Sequence, residues 1–158
     1  MIFLTVGTQL PFDRLVSSVD HWAGLHTSTE IFGQIGPAKY VPVHFKHERY
    51  LKAGQVDDFV KRASLVVAHA GMGSILTAMK FRRPIVVVPR DSSRGEHRND
   101  HQIATAKWLE NKCGVFVAWN ESQLEDLLSR HESLESAEGI SEYAPSEFTD
   151  RLRSFILS

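Results

Sequence analysis

His69-Ala70-Gly71-Met72-Gly73-Ser74 stands directly behind the apolar run Leu65-Val66-Val67-Ala68 and directly ahead of Ile75-Leu76-Thr77-Ala78-Met79. This order predicts a strand, a glycine turn and a helix start in succession. Glycines without side chains let backbone N–H groups approach a ligand, and the first helical turn leaves donors unpaired and a partial positive charge at its end. Hydrogen bonds to a charged group contribute roughly 1.5–3 kcal/mol each and a helix terminus about 0.3–1 kcal/mol, so a diphosphate could be held mainly by backbone. The same pattern also serves as an ordinary tight strand-to-helix turn, and the motif alone leaves both readings open.

A second polar stretch, Arg90-Asp91-Ser92-Ser93-Arg94-Gly95-Glu96-His97-Arg98-Asn99-Asp100-His101-Gln102, is far more hydrophilic than a short connection requires. Long polar loops in compact domains are functional or disordered, and this density of donors and acceptors suits a sugar. Between Lys80 and Arg98 there are six basic residues against two acidic ones, whereas from Glu121 onward nine acidic residues face three basic, so an anionic ligand is expected near the middle of the chain. Lys80, Arg82 and Arg83 end a helical pattern, where cations are favoured without any ligand. His97 and His101 are four apart, as two metal ligands on one helix face would be. No third ligand has matching spacing and Glu96 completes no His-Glu-x-x-His pattern, so no metal is expected. His69 could act in catalysis or orient the loop, and orientation is the simpler role. A dinucleotide fingerprint fails because Leu76 stands where the third glycine belongs, although Asp91 lies twenty residues beyond Gly71.

The elements that would position these residues alternate between strand-like and helical patterns. Strands are expected at Ile2 to Val6, Glu30 to Gln34, Tyr40 to Phe45, Leu65 to Ala68, Ile85 to Val88 and Val115 to Ala118. Helices are expected from Pro11 at the first position (with Phe12, Leu15, Val16 and Val19 on one face), around Val56 to Ala63, after the glycine turn, from about Asp100 to Asn111, and after Asn120, where Gln123 completes a capping box. Alternation of this kind predicts one doubly wound, Rossmann-like parallel sheet with helices on both faces, an α/β fold. With 158 residues and 42% apolar content the chain supports one domain over residues 1–132. Residues 133–145 read as a polar linker and 146–158 as an amphipathic helix, with Phe148, Leu152, Phe155 and Ile156 on a face for the chain's own sheet or for a partner. A net charge of -1 gives no general attraction to nucleic acid. Neither a signal peptide nor a membrane span is apparent, which points to the cytoplasm, and Cys113 as the single cysteine permits no internal disulfide. In a doubly wound sheet the ligand lies beyond the carboxyl ends of the strands, so the residues after each strand carry the function.

Three motifs in order, Phe3-Leu4-Thr5-Val6-Gly7-Thr8-Gln9-Leu10-Pro11-Phe12-Asp13-Arg14-Leu15, His69 to Ser74, and Glu96 to Gln102, resemble the donor-binding half of family 28 glycosyltransferases. That family includes MurG-type enzymes, the cytosolic subunit of the two-subunit GlcNAc transferase of dolichol-linked glycan synthesis, and bacterial PssE-type exopolysaccharide subunits. The likeness is strongest to the PssE type and spans about Met1 to Ala118. It implies the C-terminal half of a GT-B glycosyltransferase that binds a UDP-sugar with no cofactor or metal. Gly7, Thr8 and Gln9 would lie near the diphosphate and the subunit junction. Ala70 within the turn, and Gly71, Met72, Gly73 and Ser74, would receive the phosphates. Phe45 would lie against the uracil ring, and Asp100, His101 and Gln102 would contact sugar hydroxyls, with Glu96, His97, Arg98 and Asn99 in the same segment. Thr77 replaces a Glu that grips the ribose in many members. Arg94 and Arg98 could pair with the carboxylate of a glucuronate donor, or equally face diphosphate, lipid headgroups or water.

A complete enzyme of this architecture has two such domains. The resemblance therefore implies a membrane-anchored, PssD-type partner that binds a lipid-diphosphate-linked acceptor, contributes the base and recruits this chain to the inner membrane face. A UDP-sugar sensor that regulates a partner is the alternative.

Overall fold

The structure, a computed structural model, describes residues 1–110, 112–136 and 146–157. Strands β1 (Ile2–Thr5), β2 (Ile31–Gln34), β3 (Lys46–Glu48), β4 (Leu65–His69), β5 (Ile85–Val88) and β6 (Val115–Val117) form one parallel sheet in the order β3-β2-β1-β4-β5-β6. The central strands are continuous apolar runs because helices cover both of their faces, and successive side chains alternate between those faces. Ile2 and Leu4 point with Val67 and Val86 toward Leu15, Val16, Val19 and Trp22 of α1 (Asp13–Leu25) and Leu124 and Leu128 of α5 (Glu121–Ser129). Phe3, Val66, Ala68 and Val87 point the other way, toward α2 (Ala53–Arg62), α3 (Met72–Lys80) and α4 (His101–Leu109) through Val60, Ile75, Ala78, Ala106 and Leu109. The expected doubly wound α/β sheet is what the chain forms.

Three local expectations need correction. Tyr40 to Phe45 is a loop, not a strand, and β3 begins only at Lys46. The amides a strand would have used are taken by carboxylates: Asp13 accepts from Lys39 and Tyr40 N–H at 2.7 Å each, and the buried Asp20 accepts from Val43 at 3.0 Å and His44 at 2.8 Å. Helix α1 begins at Asp13, with Phe12 at its N-cap, so Pro11 stands one residue before the cap. At α5 Asn120 does accept the Gln123 N–H at 2.9 Å, but the Gln123 side chain accepts from Trp119 N–H and so misses the reciprocal partner by one residue.

Helix α6 (Ser146–Leu157) buries none of its residues, so its Phe148, Leu152 and Ile156 are not packed on the sheet. Of the expected linker 133–145, residues 137–145 lie outside the described part. Among the described residues no helix is long and apolar enough to cross a membrane.

Candidate functional site

Strand order reverses between β1 and β4, and there the chain leaves a cleft of about 400 Å³ at the strands' carboxyl ends. Its walls come from three connections: Val6, Gly7, Thr8, Gln9 and Leu10 after β1, His69 and Gly71 after β4, and Arg90, His97, His101 and Gln102 after β5. Such a switch point is where open α/β sheets bind ligands, because the flanking connections diverge to opposite faces. None of the lining side chains is a carboxylate.

The floor of the cleft is the start of α3. Gly71 is its N-cap in an extended conformation, no side chain caps it, and the first bond into the helix runs from Ile75 N–H to Gly71 O at 3.3 Å. The two glycines here serve different ends. A Cβ on Gly71 would stand 2.2 Å from His69 Nε2, whereas one on Gly73 would meet nothing within 4 Å. Gly71 therefore makes room for the His69 ring, and Gly73 leaves the helix start open to solvent. The ring also fills the space over Gly7, whose φ of +77° puts it in the left-handed region, with a would-be Cβ 2.9 Å from His69 Cε1. Wedged between two glycines, His69 is pushed down to a pKa of about 4 by burial first and then by the charge of Arg90, against an upward pull from the Thr5 backbone. It is a neutral ring at neutral pH, and its Nδ1 is buried without a hydrogen-bond partner.

Arg90 organises the opposite wall. It is 2% exposed, lies with its guanidinium carbon 4.5 Å above the Phe12 ring, and donates to the carbonyls of Val6 at 2.8 Å, Leu10 at 2.9 Å, Glu96 at 3.3 Å and Pro11. Burial pushes its pKa down to about 10, with Glu96 opposing, so it stays charged at neutral pH. By drawing the carbonyls of the β1–α1 connection toward itself it leaves the amides of Thr8, Gln9 and Leu10 without a hydrogen-bond partner among the described residues. The sequence placed Arg90 in the polar stretch without giving it this role, and it did not single out Val6 and Leu10 as site builders. Nothing local marks an arginine two residues beyond a strand as the anchor of a loop eighty residues earlier.

The remaining expected site residues divide. Gly7, Thr8, Gln9, His69, Gly71, His97, His101 and Gln102 meet in the cleft. Met72 and Gly73 are exposed and Ser74 half-buried in the first turn of α3, while Ala70 is buried beneath it. Gln102, 4% exposed, accepts the Arg90 N–H at 3.2 Å through its side-chain oxygen. Thr77 spends its hydroxyl proton on Gly73 O at 2.8 Å and can offer a ligand only lone pairs. Phe45 requires correction: its side chain is 9% exposed and packed over Gly33, where a Cβ would lie 2.6 Å from the ring, so it is a core residue and not an open stacking platform. Glu96 forms a two-bond pair with Arg14, at 2.7 and 2.9 Å, and Asp100 accepts from the Ser92 amide at 3.2 Å, so both carboxylates brace the loop that carries the histidines. Arg94 lines a separate cavity of about 210 Å³ beside Asp91, 3.6 Å from its carboxylate, and Arg98 is exposed without lining the cleft. His97 lies outside α4, so the pair shares no helix face; the two rings meet edge to face at 4.5 Å instead. Among the described residues no three His, Cys, Asp or Glu side chains come together as a metal site would need.

Comparison with known proteins agrees with this geometry. The glycosyltransferase family 28 C-terminal domain matches residues 1–148. The chain is 32% identical over 126 residues to the human protein named UDP-N-acetylglucosamine transferase subunit ALG13, an alignment that covers 73% of this chain and 11% of that protein. Among solved structures it superposes on the glycosyltransferase of kitacinnamycin with a TM-score of 0.64 (16% identity, 84% of this chain, 34% of that one). It superposes on the solution structure of ALG13 with a TM-score of 0.59 (19% identity, 96% and 93% of the two chains). At those identities the structural likeness establishes the fold.

Proposed function

The chain belongs to the glycosyltransferase family 28 C-terminal domain family, and from that premise we propose that it is the donor-binding subunit of a two-component inverting glycosyltransferase. In this reading residues 1–132 hold a UDP-sugar, and a second polypeptide supplies the acceptor and the base. One observation carries it: the uncapped start of α3 opens, through Gly71, into a cleft at the switch point whose facing wall presents the unpaired amides of residues 8–10. Both walls offer N–H groups, the arrangement that a diphosphate needs and that stabilises UDP as it departs. The base is assigned to the partner by the resemblance, and no carboxylate lines the cleft.

The partner half rests on resemblance. Likeness to the PssE type supports a membrane-anchored PssD-type subunit, a lipid-diphosphate-linked acceptor, exopolysaccharide or capsule synthesis, and recruitment of this chain to the inner membrane face. The human relative is itself named a subunit, of a UDP-N-acetylglucosamine transferase, which supports GlcNAc beside glucuronate and galactose as the sugars to test. With Arg94 paired to Asp91 outside the cleft, glucuronate has no special claim. The exposed apolar face of α6 is the surface assigned to the partner.

A melting-temperature panel of UDP, UDP-GlcNAc, UDP-galactose and UDP-glucuronate, run on the chain alone and with its partner, tests the reading. A ligand at a hundred times its Kd stabilises by about 2.7 kcal/mol. Gly73→Leu, which fills the open start of α3, removes the shift and the transferase activity of the reconstituted pair, and loss of residues 146–158 prevents assembly of the pair. Absence of any shift with every UDP compound, alone and with the partner, overturns the assignment. Stabilisation by UDP-sugar without turnover in the pair favours the sensor reading.

A further inference from the structure

Among the described residues the sheet ends in two free edges, and they differ in chemistry. β3 is Lys46-His47-Glu48, a charged edge of the kind that discourages a further strand. β6 is Val115-Phe116-Val117, without a charge or a proline, and its outer flank is the floor of two recesses of about 310 and 450 Å³ that share Val115 and Phe116. Phe116 and Val117 stay only half-buried, although the β5 residues paired with them are buried.

The hydrogen bonds to β5 fix which backbone groups remain on that flank. Ile85 N–H donates to Gly114 O at 2.9 Å and Ala118 N–H to Val87 O at 3.0 Å. In this parallel ladder Phe116 therefore turns both of its backbone groups toward β5, and Val115 and Val117 turn theirs outward. Val115 N–H is taken by Lys112 O at 3.0 Å. The Val115 carbonyl and both backbone groups of Val117 are left without a hydrogen-bond partner among the described residues.

This pattern is its own complement. A twofold axis through Phe116, perpendicular to the sheet, runs a second β6 antiparallel to the first and sets the Val117 N–H of each copy against the Val115 carbonyl of the other. Phe116 then stands opposite its own counterpart, where cross-strand side chains pack. The same register brings the exposed Lys112, four residues before Phe116, beside the exposed Asn120 and Glu121 of the second copy, four and five residues after it. A cation thus meets an anion at both ends of the contact.

We propose that two copies of this chain pair through β6, joining their six-stranded sheets into one continuous sheet across a twofold axis. The cleft lies between β1 and β4, off this edge, so the inference stands independently of what the cleft binds.

Sedimentation of the full chain over rising concentration, with amide exchange followed residue by residue, tests it. The mass is expected to double, and the Val117 amide to exchange more slowly as it does. Val117→Pro removes the outward donor without touching a bond to β5 and is expected to give a folded monomer, checked by circular dichroism. Lys112→Glu weakens the pairing several-fold, and adding Glu121→Lys restores it; these variants and the exchange measurement decide the matter should Val117→Pro fail to fold. A chain that stays monomeric overturns the proposal, whether the edge is then covered by another polypeptide or left in water. A dimer whose Val117 amide exchanges as fast as in the monomer pairs through another surface and overturns it equally.

Discussion

Two buried charges organise two loops of this molecule in opposite senses. Asp20, 1% exposed on α1, collects donors: the amides of Val43 and His44 and the Tyr40 hydroxyl at 2.8 Å, with the His44 ring at 3.3 Å. Arg90, equally hidden, collects acceptors from Val6, Leu10, Pro11 and Glu96. The Val43 and His44 amides are spent on Asp20, whereas Arg90 draws only on carbonyls, and the amides of Thr8, Gln9 and Leu10 keep no hydrogen-bond partner among the described residues. In the proposed donor-binding reading the Asp20 loop is scaffold and the Arg90 loop is half of the diphosphate site.

The comparison can be broken most severely at Arg90. Arg90→Leu leaves four carbonyls without their donor in a desolvated place and is expected to cost about 3–5 kcal/mol in urea unfolding, with loss of UDP-sugar binding in the surviving folded fraction. Retention of full affinity would show that the β1–α1 amides take no part in recognition.

His69, wedged beneath the same loop, gives a pH signature of nearly equal size. Its folded pKa of about 4 lies below the ordinary histidine value of about 6.5, so the unfolded chain binds the proton more readily. Stability is complete above about pH 6.5 and declines through the window down to about pH 4, by about 3 kcal/mol in all. His69→Asn should flatten this slope in melts recorded across that range, and an unaltered slope would assign it to other groups.

Asp20→Asn is the mildest and the cleanest contrast. An amide can accept from only part of the donor set, so the cost is expected at about 1–3 kcal/mol, with UDP-sugar affinity unchanged. Burial pushes the Asp20 carboxyl upward, but the His44 amide, the Tyr40 hydroxyl and the Val43 amide outweigh it and hold the pKa below the usual aspartate value. Its contribution is thus complete above about pH 4 and lost as pH falls through the lower folded value, a loss that Asp20→Asn should remove from acid titrations followed by circular dichroism.

Much of this was legible in the chain. Leu65 to Ala68 followed by the glycine turn read as a buried strand feeding a helix start, because apolar runs, β-branched residues and glycines act locally. The roles of single side chains were legible only in part. His101 and Gln102 were singled out and do line the cleft, yet Glu96 and Asp100, equally polar in the same segment, turn away to Arg14 and Ser92. Phe45 had the chemistry of a stacking platform and was claimed by the core through Gly33. Tyr40 to Phe45 had the composition of a strand and lost its amides to Asp13 and Asp20.

By itself the amino-acid order determined the alternation of elements, the parallel sheet, the glycine turn and the family, since each depends on neighbours within a turn or a strand. Tertiary structure alone decided that Arg90 would hold a loop eighty residues away, that Gly71 would yield its space to a histidine while Gly73 stayed open, and that one face of α6 would remain uncovered by the sheet. The reason is that burial and hydrogen-bond competition are settled between partners distant in sequence, where no local pattern records which polar group will satisfy which.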